Sequence, residues 1–304
     1  MLQLAGRVGL GVDVADLTGR VDLDSRKRST LTIRQASWRL KNDETSYRLE
    51  LRRSMSATVK GAVAVVRAKR DGSDYLVANN AAAADLIDPV HFADRDRDKT
   101  RLSLDWTPPE TLSFQAMFED SDDTYDGRAL GPQAGEARFY SLDAAYTLAD
   151  DWQLNLWASR EETGIDQATV SGTNGTVVAA QTRQARLRNI GDGIGGGITG
   201  RLNEKLEVGA ELQYEKDRND CQLVATVPAT AVLPDIDTCH SRLRLFLQYA
   251  LREQMGVRID YVDDRFDTND WTWTGWVYAD GSSVLLPSDE TGRFIGVSAY
   301  FNPR

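Results

Sequence analysis

The sequence predicts an all-β protein, a transmembrane β-barrel of antiparallel strands, and three observations predict it. Apolar and polar residues alternate with a period of two through much of the chain, which gives each strand one apolar and one polar face. The alternating segments run to about nine to eleven residues, the length that a tilted strand needs to cross a bilayer. Short turns alternate with long polar connections, as they do in outer-membrane barrels.

Two strand–turn–strand units between Arg101 and Ser159 show the pattern most clearly. In the first unit, Leu102, Leu104 and Trp106 alternate with polar residues before a Thr-Pro-Pro-Glu turn at residues 107–110. About 13 strands are predicted in all, over residues 2–14, 17–24, 47–51, 58–65, 101–106, 112–119, 140–146, 152–159, 190–202, 206–215, 242–251, 257–261 and 295–301.

The connections between these strands are of two kinds. Short turns near residues 15, 55, 108, 149, 203 and 253 fall on one side by strand parity. Long polar loops are predicted on the other side, over residues 26–44, 71–98, 120–139, 163–186, 216–240 and 263–291, with a short helix over residues 79–87. A complete bacterial barrel normally has an even strand number. The odd count therefore predicts either that residues 1–304 are a portion of a larger barrel or that one strand is miscounted.

Composition excludes several classes of protein. The chain has 304 residues and a net charge of -10, which argues against a nucleic-acid partner. It has no run of 18 apolar residues, so no transmembrane helix is expected. No signal peptide precedes the first strand pattern. Since a barrel of the outer membrane of a Gram-negative bacterium needs an export signal, we expect that the true N-terminus is missing from these residues or was removed.

Charged residues on the polar faces of the later strands are the candidates for contact with a partner inside the barrel. They are Glu207, Glu211, Arg242, Arg244, Arg258 and Asp260. The alternative is that these charges only pair across neighbouring strands within a wet bore. Aromatic residues near strand ends, among them Trp106, Tyr146, Trp152, Tyr214 and Tyr261, are expected to form the interfacial girdles of a barrel.

The remaining signals predict no catalytic, metal or cofactor site, and we expect that the protein is not an enzyme. The only histidines, His91 and His240, lie in predicted loops and form no catalytic or zinc-binding set. The glycine spacing at residues 191–196 continues a strand pattern, so it predicts space in the bore or strong strand curvature rather than a dinucleotide site. Acidic groups at residues 94–98 and 120–126 allow calcium ligation, but Arg-paired surface charges are the favoured interpretation.

Both cysteines, Cys221 and Cys239, fall within one predicted loop. An exported protein meets an oxidising compartment, in which such pairs are usually bridged. The sequence therefore predicts a disulfide between them.

Several segments resemble the MtrB/PioB family, the outer-membrane barrels associated with decahaem cytochromes. The similar segments are Ala93–Asp98, Thr107–Pro108, Tyr125–Gly127, Arg258–Tyr261, Phe266–Trp271 and Ile295–Ser298. The likeness covers most of the chain but only the C-terminal part of a full-length member. The N-terminal half of the family, with its signal sequence and cysteine pair, is not present.

The resemblance implies a sheath that holds a periplasmic multihaem c-type cytochrome across the outer membrane. Electrons would then pass between the periplasm and the cell exterior, with an extracellular cytochrome as a further candidate partner. This chain has no Cys-x-x-Cys-His motif, so it would bind no c-type haem itself. The alternative function is a general diffusion porin with an open polar channel, and lipid surrounds the barrel in both cases.

Overall fold

The computed structural model describes residues 2–9, 15–27, 39–75, 89–108, 111–126, 130–149, 151–173, 176–225, 233–273, 276–277, 281, 283–284 and 287–301. These residues form an antiparallel sheet of 13 strands and a separate two-stranded hairpin. In chain order the elements are β1 (Leu2–Gly9), β2 (Ala15–Lys27), β3 (Lys41–Ser54), β4 (Val59–Gly72), β5 (Asp94–Trp106), β6 (Leu112–Asp126), β7 (Gly131–Ala149), β8 (Trp152–Thr173), β9 (Thr176–Asn203), β10 (Leu206–Ala225), β11 (Ile236–Arg252), β12 (Met255–Thr268), a 3₁₀ turn (Trp271–Trp273), the hairpin strands β13 (Trp276–Val277) and β14 (Ser283–Val284), and β15 (Asp289–Phe301).

The large sheet is a simple meander, because every strand pairs with the strands next to it in the sequence. Each of its 13 strands overlaps one of the 13 predicted segments, so the predicted all-β antiparallel fold is confirmed. In the described part of the chain, β1 and β15 each pair with one neighbour only, and the sheet is therefore open. An odd number of alternating strands also means that β1 and β15 run in the same direction.

The strands extend much further than the sequence predicts on the side of the long connections. The predicted loop over residues 163–186 is almost entirely strand, since β8 and β9 have 22 and 28 residues. The ends of the other predicted loops are also strand, and the predicted helix over residues 79–87 lies outside the described residues. The prediction failed because both faces are polar there, so the period of two disappears while the backbone ladder continues.

The short turns lie where they were predicted, apart from the one near residue 15, because Ala15 and Asp16 belong to β2 and residues 10–14 lie outside the described part. Between β3 and β4, the amide of Met55 donates to the carbonyl of Val59 at 2.8 Å. Between β9 and β10, the side-chain oxygen of Asn203 accepts from the amide of Lys205 at 2.9 Å. Such local hydrogen bonds close tight reversals and fix the register of the strands that leave them.

Burial in this sheet is inverted relative to a water-soluble domain. Among the described residues, 33 large hydrophobic side chains are exposed, including Leu212, Leu247 and Ile194. The buried apolar residues are four alanines and Phe92, whereas Glu50 and Asp123 are each only 8% exposed. A face with this much apolar surface needs an apolar surrounding. A lipid bilayer outside the sheet satisfies that need.

The strands are tilted relative to the apolar band. Direct register partners run from Trp106 through Phe114, Ala144, Leu156, Gly196, Leu212 and Leu243 to Asp263. Trp106 is the last residue of β5 at the short-turn side, whereas Asp263 lies beyond the apolar part of β12. A row of register partners therefore begins at the short-turn border of the apolar band and ends beyond its opposite border. Barrel closure requires this stagger.

The apolar band has aromatic residues at both borders. Trp106, Tyr146 and Trp152 lie on the apolar face near the short turns, and Tyr214 and Tyr261 lie at the opposite border. Charged residues follow directly beyond the second border on the same face, such as Lys216 after Tyr214 and Asp263 after Tyr261. We call these outward charges of the long-connection side the collar. Among the described residues, no helix is long and apolar enough to cross a membrane.

A substitution on each face tests the assignment of the lipid side. Leu247 lies on the apolar face between Val208 and Ile259, and Gln213 lies on the polar face between Glu211 and Glu215. Arginine at position 247 should cost about 2–4 kcal/mol near the bilayer midplane, whereas Gln213→Arg should insert normally. The heat-modifiable gel mobility of each variant reports folding. Normal folding of Leu247→Arg together with impaired folding of Gln213→Arg would mean that the faces are reversed.

Candidate functional site

The polar face of the sheet is the candidate functional site, and strand register defines its members. Residues opposite each other in adjacent strands share a face, as do residues two apart in one strand. Register aligns Glu207 with Gln248 and Gln248 with Arg258, and it aligns Glu211 with Arg244. All six charged residues predicted from the sequence lie on this face of β10, β11 and β12.

Asp260 joins two of the predicted arginines. Its carboxylate accepts hydrogen bonds from Arg244 at 3.2 Å and from Arg258 in the same strand at 2.9 Å. The expected pairing across neighbouring strands is therefore present for part of the predicted set. This pairing and a contact role are compatible, because each arginine has more donors than one carboxylate can satisfy.

Asp260 is one of five carboxylates on the polar face that each lie between two bases. The clusters are Arg48–Glu50–Arg52, Arg95–Asp123–Arg97, Lys99–Glu119–Arg101, Arg244–Asp260–Arg258 and His240–Asp264–Arg242. Four of these clusters were not predicted from the sequence, although the first is recognisable there because a base lies two residues before and two residues after Glu50. Each cluster fixes long side chains against the wall by charge-assisted hydrogen bonds.

The alternating charges at the start of β5 are sorted between the two faces of the sheet. Arg95, Arg97 and Lys99 lie on the polar face, opposite Tyr125, Asp123 and Ser121. The intervening aspartates lie on the other face, in the collar. Because side chains in a strand point alternately to opposite sides, a run of alternating signs becomes a basic inner column and an acidic outer column.

The same observation weighs against the calcium interpretation of these acids. Asp94 accepts two hydrogen bonds from Arg39 at 2.5 and 2.8 Å, and Asp98 lies 3.9 Å from Arg67. In the described part of the chain, no group of three or more acidic, histidine or cysteine side chains is arranged to hold a metal ion. Arginine-paired charges, the favoured interpretation, account for these two aspartates.

Residues 89–93 fold over the polar face at the long-connection end. The carbonyl of Phe92 accepts from Arg39 at 2.8 Å and from Asn42 at 3.1 Å. Arg70 donates to the carbonyls of Ala93 and Val90 at 2.9 and 2.8 Å. Phe92 and Ala93 are buried beneath these contacts. Arginine side chains therefore hold a loop segment inward, at one mouth of the wall.

A different surface covers β8 to β11, where aromatic rings lie flat on glycines. The indole of Trp157 covers Gly193 and Gly195, since a Cβ at Gly195 would lie 2.6 Å from its Cε2 atom. Phe246 covers Gly209 in the same way, and the guanidinium of Arg258 stacks 4.0 Å from the Phe246 ring centre. A cavity of about 260 Å³ lies between the two rings. The predicted role of the glycines as space in the bore agrees with this geometry.

The predicted disulfide is not formed, because Cys221 and Cys239 are both free thiols in the structure. Neither lies in a loop. Cys221 belongs to β10 and Cys239 to β11, where the register partner of Cys239 is Lys216. Cys221 lies five positions beyond Lys216 in β10, so the two cysteines lie on opposite faces of the sheet at different heights. Proximity in sequence misled the prediction, since extended strands carry the cysteines apart.

The architecture and the division of faces define an outer-membrane β-barrel protein. The sequence profile described as "Putative outer membrane beta-barrel porin, MtrB/PioB" matches residues 14–302, nearly the whole chain. The chain therefore belongs to the MtrB/PioB family, which confirms the resemblance noted in its sequence. Membership in a porin-like family places the protein in the outer membrane and favours a role without enzymatic activity.

Solved structures show the same fold at low sequence identity. The structure titled "Copper transporter OprC" gives a TM-score of 0.54 at 12% identity, covering 93% of this chain and 43% of that one. The ferric yersiniabactin uptake receptor FyuA from Yersinia pestis gives 0.54 at 11% identity, covering 87% and 52%. The chain thus spans about half the length of these barrels. No curated protein sequence matches it.

Thiol chemistry tests the corrected state of the cysteines. The denatured, unreduced protein should react with two equivalents of a maleimide at Cys221 and Cys239, and the reduced protein should react with the same number. A Cys221→Ser variant provides the one-thiol reference. Labelling that appears only after reduction would restore the disulfide.

The Asp123 cluster should contribute strongly to stability. The Asp123 side chain is 9% exposed and accepts from Arg97 at 2.6 and 2.7 Å, with Arg95 also 3.6 Å away. Asp123→Asn would remove the carboxylate that pairs with Arg97 and would leave Arg95 with Glu44 as its remaining partner, a loss of about 3 kcal/mol. Unfolding by urea in lipid vesicles measures it.

Asp120 in the same strand is the matched control, because it pairs in the collar with Arg138 and both side chains are well exposed. Asp120→Asn should change stability far less than Asp123→Asn. A comparable loss in the two variants would show that burial of the cluster does not matter.

Proposed function

We propose that this chain is the C-terminal portion of an outer-membrane barrel that encloses a multihaem c-type cytochrome. The barrel would hold the cytochrome across the membrane so that electrons pass between periplasm and cell exterior. A haem protein with a charged surface is excluded from hydrocarbon. A wall with a polar inner face and an apolar outer band removes that barrier. The chain has no haem-attachment motif of its own, so the electron carrier is the partner.

The observation that carries this proposal is the flat wall of β8 to β11. A diffusion channel selects solutes by side chains that project into the bore and narrow it. Here Trp157 and Phe246 lie down on glycines instead of projecting. Elsewhere the long arginines are held against the wall by the five acid-centred clusters. Such a surface leaves room for a large body and presents groups that contact it.

The open sheet supports the view that this portion belongs to a larger barrel. A sheet edge in a bilayer carries unsatisfied backbone groups at several kcal/mol each, so both β1 and β15 need partners. Because these two strands run in the same direction, direct joining would form a parallel pair. An odd number of further strands restores antiparallel pairing throughout and gives the even total usual in bacterial barrels.

A general diffusion porin is the second candidate function. Residues 89–93 favour it, because a loop segment folded inward and fixed by Arg39 and Arg70 is one way to narrow a channel. In that case the cavity between Trp157 and Phe246 would meet solutes rather than a protein. The two functions share the same fold and the same lipid band, so a functional experiment must separate them.

Isolation of the full-length barrel from native outer membranes makes the distinction. Under mild detergent, a haem-staining protein should co-purify in a fixed ratio, and the complex should show little conductance in planar bilayers. Cells that cannot attach haem to c-type cytochromes provide the control, since their barrel should fold but lack the haem band. A barrel that conducts small solutes and never carries a haem protein would replace the sheath with the porin.

A further inference from the structure

We propose that the polar face is divided by charge into two sectors that fix the rotational orientation of the protein docked against it. The basic sector is the polar face of β3 to β6, and the acidic sector is the polar face of β7 to β10. The inference rests on the proposed function and specifies the partner surface. That surface is acidic where it meets β3 to β6 and rich in lysine or arginine where it meets β7 to β10.

The basic sector has more bases than its acids can neutralise. Its described residues include eight lysines and arginines against five carboxylates. Glu50, Glu119 and Asp123 each bridge two of these bases. Arg52 is 69% exposed and Arg101 is 37% exposed despite their bridges. Donors therefore remain available to carboxylates or haem propionates of a docked protein.

The acidic sector has the opposite character. Its carboxylates are Asp143, Glu161, Glu207, Glu211, Glu215 and Asp217, against two arginines that register places on this face, Arg183 and Arg201. Among the described residues, none of the six lies within 4.0 Å of a lysine or arginine nitrogen, and only Glu215 approaches His240, at 3.9 Å. The acids are thus held apart from their natural counterions, in contrast to every bridged acid of the basic sector.

Two features make the acidic sector a contact surface. Because Trp157 lies against glycines, its ring projects little from the polar face, and the carboxylates project further than their surroundings. Asp143 is the direct register partner of Trp157, which places a carboxylate beside an indole face. Lysine and arginine side chains bind such a combination by ion pairing and by cation–π attraction.

Distance keeps the middle parts of the two sectors independent, although the sectors meet at the neighbouring strands β6 and β7. β5 and β9 are four strands apart, about 19 Å along the sheet at the usual strand spacing. Physiological salt screens charges beyond about 8 Å. The sectors therefore do not neutralise each other, and each acts on the part of a partner directly opposite it. A partner rotated by the width of one sector would bring like charges together at one of the two sectors, which disfavours that orientation.

The test compares two charge-reversed variants of the full-length barrel. The acidic-sector variant combines Asp143→Lys, Glu161→Lys and Asp217→Lys. The control combines Asp122→Lys, Glu136→Lys and Asp289→Lys, three exposed acids on the outward face. Both change the net charge equally, and heat-modifiable mobility confirms that both fold. The acidic-sector variant should retain the haem protein about tenfold more weakly or worse, and salt should weaken its binding less than that of the unmodified barrel.

A probe without the cytochrome separates this inference from the proposed function. Decalysine should bind the purified barrel, bind the control equally, and bind the acidic-sector variant about tenfold more weakly. Decaglutamate should bind the acidic-sector variant at least as well as it binds the unmodified barrel. If decalysine binds all three barrels alike, the charge division is wrong. If decalysine discriminates but no haem protein ever co-purifies, the division stands and the sheath fails.

Discussion

The structure depends on one constraint, the need to pair every backbone amide and carbonyl within the sheet where the chain crosses hydrocarbon. A meander of antiparallel strands meets it with local connections only. Once the ladder is formed, register fixes the face on which each side chain lies. A shift of one residue in one strand would exchange its lipid and bore residues. Face assignments across 13 strands are therefore coupled through the hydrogen bonds and do not depend on each side chain separately.

This coupling explains how the same alternation of side chains operates both within the lipid bilayer and in the aqueous region beyond it. Within the apolar band the alternation is hydrophobic against polar, as at Leu102 and Leu104 of β5. Further along β5, from Lys99 back to Asp94, the same geometry continues with bases inward and acids outward. The change marks the level at which lipid ends, because aspartates on the outer face are tolerable only beyond the hydrocarbon. The strand itself does not end there.

The sequence predicted the fold well where lipid enforces the pattern, and poorly elsewhere. Strand number, the short turns and the facing of Leu243 to Tyr249 follow from the period of two. The extent of β8 and β9 could not be predicted, since outside the bilayer nothing requires an apolar face. The clusters around Glu119 and Asp264 depend on register between strands, which spacing along one strand does not contain. The error at Cys221 and Cys239 has the same origin, because a polar strand was interpreted as a loop.

The two sectors of the polar face also differ in how much a partner gains by contact. In the basic sector, carboxylates such as Glu119 and Asp123 already compensate the bases, so an incoming acid replaces part of an existing network. In the acidic sector, the carboxylates are solvated rather than ion-paired, and an incoming base forms its first strong interaction. Binding free energy should therefore come mainly from the acidic sector, while the basic sector excludes wrong orientations. Affinity and orientation would thus be set by different strands of one wall.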